Sequence, residues 1–137
     1  MVMKRFAAVA ALMLLAGCSM GQDMSTAQAG VTTFHKQLNA QAFDQIYDDA
    51  SADLKAAAPP AKLINLLSAV HRKLGDFQSG SAVGWNDNAT TSGHFLTVHF
   101  QANYARGKAD ETFVYRIDNG AAVLAGYNIN SDALIEN

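Results

Sequence analysis

At Gly75 the hydrophobic rhythm of the chain changes, and that change limits the folds open to it. Before Gly75 the apolar residues recur at helical spacing, and after it they alternate. Ala27, Val31, Phe34 and Leu38 share one face of an amphipathic helix. Ser25 and Gln28 have capping-box spacing at its start, with Thr26 an equally good cap. Phe43, Ile46, Tyr47 and Ala50 repeat the pattern in a short second helix. Ala56-Ala57-Ala58-Pro59-Pro60 interrupts the chain, and Pro60 suits the first turn of a third helix. Its apolar face is Leu63, Leu66, Leu67, Val70 and Leu74. Arg72 and Lys73 sit in its last turn, where the dipole favours cations, and Gly75 is the expected left-handed cap.

After Gly75 the period is two. Phe77, Ser79, Ser81, Val83 and Trp85 fall on one face of a first strand, which Asn86-Asp87-Asn88 ends as a turn. Leu96, Val98, Phe100, Ala102 and Tyr104 form one face of a second strand, and Thr97, His99, Gln101 and Asn103 the other. Arg106-Gly107-Lys108 reads as a hairpin turn. Phe113, Tyr115 and Ile117 then alternate with Thr112, Val114 and Arg116. Asn119-Gly120 is the strongest hairpin signal, because both residues tolerate the positive φ of a type I′ turn. Val123, Ala125, Tyr127 and Ile129 complete a fourth strand. Helices first and strands afterwards predict an α+β fold, with three N-terminal helices packed on a bent four-stranded antiparallel sheet.

The N-terminus has a separate logic. Lys4 and Arg5 precede an uncharged apolar run, Phe6 to Leu15, as in an export signal. The run is much shorter than the ~20 apolar residues of a membrane-spanning helix. Leu15-Ala16-Gly17-Cys18 ends in the chain's one cysteine and resembles a bacterial lipobox. The resemblance implies that residues 1–17 are a lipoprotein signal peptide and that Cys18 is acylated. Residues 18–25 then form the lipidated cysteine and a polar tether, and 26–137 a single α+β domain. Ser19, standing where an Asp would signal inner-membrane retention, implies transfer to the outer membrane of a Gram-negative bacterium. The domain would hang from its lipid on the periplasmic face. With Cys18 acylated, no thiol is left for a disulfide, although that compartment permits them.

The chain has a formal charge of −2, and loss of Lys4 and Arg5 with the signal takes it to −4. The remaining basic residues are scattered and form no stripe, so no nucleic-acid partner is expected. Membrane attachment is expected from the lipid on Cys18 alone.

The order helix, short helix, helix, four long strands resembles the nuclear transport factor 2-like, cystatin-like α+β cone. Short phrases are similar to bacterial envelope proteins of that superfamily: Phe43-Asp44-Gln45-Ile46-Tyr47-Asp48, Val70-His71-Arg72-Lys73-Leu74-Gly75 and Gly126-Tyr127-Asn128-Ile129-Asn130. The likeness covers roughly residues 25–132. Because that fold carries isomerases, dehydratases, toxin-immunity proteins and binding modules, it does not deliver function.

Tyr104, Tyr115 and Tyr127 fall on the predicted inward faces of three successive strands. With Trp85 at the mouth they form the candidate ligand pocket; the alternative is an ordinary core in which each hydroxyl finds an internal partner. Small residues on the same predicted faces, Ser79, Ser81, Ala102 and Ala125, would leave space between the rings. His94 and His99 point to opposite sides of one strand, and His35 and His71 read as boundary residues of helical faces. No His/Asp/Glu cluster has metal-ligand spacing, so neither metal nor cofactor is expected. Asp48, Asp49 and Asp53 read as a solvated helix end, although Asp49 and Asp53 would be neighbours if that helix continued. The predicted inward faces carry almost no charge, and no catalytic residue is assigned. The expectation is a non-enzymatic binding or accessory module with an unknown protein or small-molecule partner. The alternatives are an immunity-type inhibitor of an envelope toxin, and an isomerase or hydrolase with a cavity acid/base.

Overall fold

The computed structural model describes residues 18–136; residues 1–17, on which the expected signal peptide and Leu15 to Gly17 fall, lie outside the described residues. Helix α1 (Cys18–Asn39) starts earlier than the capping box at Ser25 suggests, so residues 18–25 are helical rather than an irregular tether. No proline interrupts this stretch, and Thr26 Oγ1 donates to the Gln22 carbonyl at 2.8 Å, a mid-helix bond rather than a cap. Ala27, Val31, Phe34 and Leu38 are buried where α1 crosses the inner face of the sheet and touches all four strands.

α2 (Phe43–Asp48) does not run on. Ser51 starts a separate short helix, α3 (Ala52–Ala57), by accepting the Leu54 N–H. The expected break at Ala56-Ala57-Ala58-Pro59-Pro60 thus begins inside α3, whose last residues are Ala56 and Ala57. α4 (Pro60–Leu74) has Pro60 in its first turn and ends at Gly75, φ 77°. Leu63, Leu67, Val70 and Leu74 are buried, largely against α2, α5 and α1, while Leu66 is 37% exposed and leaves the expected core. α5 (Asp132–Glu136) closes the chain, tied down by Lys73 Nζ on the Leu134 carbonyl. Among the described residues there are thus four helices before the sheet, not three, and one after it. None is long and apolar enough to cross a membrane.

β1 (Phe77–Thr90), β2 (Gly93–Tyr104), β3 (Gly107–Asp118) and β4 (Ala121–Asn130) form one antiparallel open sheet in chain order. Asn119 and Gly120 have φ of 50° and 77°, as the type I′ reading requires. The first turn is misplaced in the sequence reading. β1 runs through Asn86-Asp87-Asn88, pairing them with Thr97, Leu96 and Phe95, and the chain turns at Thr91-Ser92 instead. Cross-strand pairing overrides the turn preference of these three residues.

Three register shifts correct the predicted faces. On β1, shifts near Gln78 and Val83 put Phe77, Gly80, Ala82 and Trp85 opposite the inward residues Tyr104, Ala102, Phe100 and Val98. Ser79 and Ser81 therefore face outward, and Val83 is 58% exposed. No side chain fits at Gly80: a Cβ there would lie 2.4 Å from Phe100 Cε1 and 2.6 Å from the Gln101 carbonyl oxygen. On β4, Ala125 is the extra residue, so Leu124 rather than Val123 or Ala125 is buried against Tyr115.

Candidate functional site

β3 begins at Gly107, five residues before the alternation read from sequence, and the added length carries Ala109 and Glu111 onto the inner face. Glu111 is 1% exposed. A buried carboxylate needs compensating donors. It has three: Tyr104 Oη at 2.8 Å and Tyr127 Oη at 2.6 Å donate to Oε2, and His35 Nε2 lies 2.8 Å from Oε1. With Glu111 ionised, Nε2 carries the proton and donates to Oε1.

The sequence reading missed both central residues of this network. His35 is not a boundary residue; it is 3% exposed, because it lies four residues after Val31 and three before Leu38 on the buried face of α1. Its ring stacks on Phe77 at 3.6 Å and 5°, and meets Phe113 edge-on. Glu111 was legible too: stepping back by twos from Tyr115 and Phe113 reaches it. The expectation of nearly uncharged inward faces is corrected accordingly.

The three tyrosines do not share one pocket. Tyr104 and Tyr127 spend their hydroxyls on Glu111. Tyr115 is buried next to them in sequence order, yet its hydroxyl has no hydrogen-bond partner among the described residues. It lies under α1 where Gly30 makes room; a Cβ on Gly30 would stand 2.9 Å from Tyr115 Cε1. Burial first, then the charge of Glu111, holds the Tyr104 and Tyr115 phenols far above the ordinary tyrosine range, and Tyr127 is raised for the same reasons. Trp85 packs against the core opposite Val98. Tyr115 and Tyr127 border separate small cavities, of about 270 and 230 Å³.

A larger groove, about 600 Å³, opens between α1 and the β1–β2 hairpin. Val98, Phe100, Phe77 and Ala82 make its apolar wall, and Gln28, Thr32, Lys36 and Asn39 the polar one. His35 lines it, while Glu111 stays behind the ring. Asn39 fixes the end of the groove by pairing with the backbone N–H and carbonyl of Phe77, at 2.8 and 3.0 Å.

The acidic group of α2 and α3 divides. Asp49 accepts from Gln45 and Gln37, whereas Asp53 forms a two-bond ion pair with Arg116, at 2.7 and 2.8 Å. The Arg116 guanidinium holds the Asp53 carboxyl below its usual range, and Arg116 is raised in return. His71 pairs with Asp76 in the open, and His99 is exposed. His94 faces inward beside Asp87, with Asp23 near both; the ligand atoms of these three lie within 4.8 Å of one another. No such set was visible in the spacing of the sequence.

These features define an α+β domain whose first helix is keyed to the sheet by a buried, saturated carboxylate. The chain belongs to the family described as protein of unknown function (DUF3887), which matches residues 31–124 and thus more than half of it. His35, Tyr104 and Glu111 fall within the matched stretch; Tyr127 and Asp23 fall outside it. No curated protein matches the chain.

Proposed function

We propose that this protein is a non-enzymatic binding module of the bacterial envelope, holding a small amphipathic ligand in the groove between α1 and the β1–β2 hairpin. The groove carries the reading. Its volume of about 600 Å³ falls in the ~300–1,000 Å³ range of small-molecule sites, and it sets one apolar wall against a few polar groups. His35 lines it with a ring that Glu111 and Phe77 hold still. The arrangement of α1 over an antiparallel meander is compatible with a nuclear transport factor 2-like or cystatin-like cone, where a helix and a curved sheet enclose a cavity. The address rests on the lipobox: Cys18 is lipidated, and the domain is anchored at the outer membrane facing the periplasm.

A second reading, an isomerase or hydrolase with a cavity acid/base, is favoured by the His35–Glu111 pair. Against it, three donors already occupy Glu111, and it does not border the groove. Ligand-observed NMR of the full chain against a panel of small carboxylates, amides and aromatic acids tests the choice. Binding that is lost in Phe100→Ala and Asn39→Ala supports the module. Turnover of a bound compound, abolished in His35→Gln, would replace it with the enzyme. Acylation is checked separately by mass spectrometry: an unmodified Cys18 in the membrane-bound protein would sink the anchor.

A further inference from the structure

A second constellation, not part of the groove, sits at the other end of the inner face. The register pairs Asp87 with Leu96 and His94 with Ala89, so Asp87 and His94 are diagonal neighbours on the face that Leu96 buries. Their side chains meet, Nε2 to Oδ1, at 2.5 Å. The early turns of α1 bring Asp23 to the same point, and the three ligand atoms lie within 4.8 Å of one another.

The charges do not balance. The other two His–carboxylate pairs, His35–Glu111 and His71–Asp76, set one imidazole against one carboxylate. Here two carboxylates meet one imidazole. Among the described residues neither Asp23 nor Asp87 forms an ion pair with a lysine or arginine, and Arg116, whose guanidinium reaches the Ser92 carbonyl beside this hairpin, is held by Asp53. Two negative oxygens a few ångströms apart repel each other unless a cation neutralises them. Local sequence points the same way. Asn86-Asp87-Asn88 favours a turn, yet it is kept in a strand that aims Asp87 inward; such breaches of local preference accompany sites.

We propose that Asp23, Asp87 and His94 bind a divalent transition-metal ion of the Zn²⁺ type. An imidazole nitrogen with two carboxylate oxygens is a mixed donor set that suits Zn²⁺ better than Ca²⁺ or Mg²⁺, which take oxygen alone. Bonds of about 2.0–2.2 Å put neighbouring donors roughly 3.3–3.6 Å apart, so the ion would part the direct Asp87–His94 hydrogen bond and gather the three side chains around itself. Three protein ligands leave a further position for water. The ligands come from α1, β1 and β2, so the ion would fasten the start of α1 to the hairpin.

Isothermal titration of the full chain with Zn²⁺, and visible absorption with Co²⁺ as the spectroscopic probe, test the site. One equivalent should bind saturably and raise the melting temperature. His94→Ala and Asp23→Asn should each weaken binding about tenfold or more, and His71→Ala should leave it unchanged. Asp23→Asn alters only the helix, so its result stands even if His94→Ala disturbs the hairpin. Absence of saturable Zn²⁺ binding, binding equal in the Asp23→Asn chain, or loss of binding in His35→Ala but not in His94→Ala would each overturn the proposal.

Discussion

Two histidine–carboxylate pairs share the inner face of this sheet and live in opposite conditions. His35–Glu111 is sealed, with side-chain exposures of 4% and 0%; His94–Asp87 keeps 30% and 21%. The sealed carboxylate has three donors, and its partner His35 sits among Phe34, Phe77, Phe100 and Phe113. The open one has a single bonded imidazole and a second acid nearby. The same chemical pair therefore does different work. In the core, full satisfaction makes it a key that orients α1 and one face of His35. At the hairpin, incomplete satisfaction leaves coordination to spare.

The comparison breaks most visibly on stability. Glu111→Ala should cost about 3–5 kcal/mol, because His35, Tyr104 and Tyr127 are left buried without their acceptor. Asp87→Ala should cost about 1 kcal/mol or less, as for other solvent-accessible pairs. Urea unfolding of both variants measures the difference. Because the whole domain is stable by only about 5–15 kcal/mol, Glu111→Gln serves where the alanine variant does not fold. Equal losses at the two positions would erase the distinction between key and open pair.

Alkaline titration sharpens the picture of the sealed end. The folded-state pKa values of Tyr104, Tyr115 and Tyr127 lie above their ordinary value of 10.0. A raised value means that the folded chain keeps protons the unfolded chain releases. Their contribution is therefore fully present below about pH 10 and is lost as the pH rises above it. Unfolding free energy should be insensitive to these groups at neutral pH and fall steeply above about pH 10, less so in a Tyr104→Phe, Tyr127→Phe chain. An unchanged slope in that double variant would mean the two phenols are not sealed.

The smallest effect belongs to Asp53–Arg116, a pair more exposed than either histidine pair, at 38% and 29%. Asp53→Asn should lower the melting temperature by a few degrees at most, and added salt should shrink the difference. Since the Asp53 pKa is depressed in the folded chain, its stabilisation exists above the ordinary carboxylate range and disappears as the pH falls through the folded value. A loss as large as that of Glu111→Ala would mean that solvent exposure does not rank these pairs.

Periodicity alone determined the α+β class, the α1 and α4 faces apart from Leu66, the inner face of β2 and the Asn119-Gly120 turn, because each depends on neighbours a few residues away. It also put Tyr104 and Tyr127 inward. Tertiary structure alone decided what those tyrosines hold. Glu111 and His35 are 76 residues apart; spacing puts each on an inward face, but only the fold brings the two together. The bulges that turn Ser79, Ser81 and Val123 outward are likewise invisible locally: a register slip is set by the strand it pairs with, and one extra residue inverts every face beyond it. Asp23, Asp87 and His94 meet for the same reason, since only the packing of α1 on the first hairpin brings a helix acid to a strand histidine.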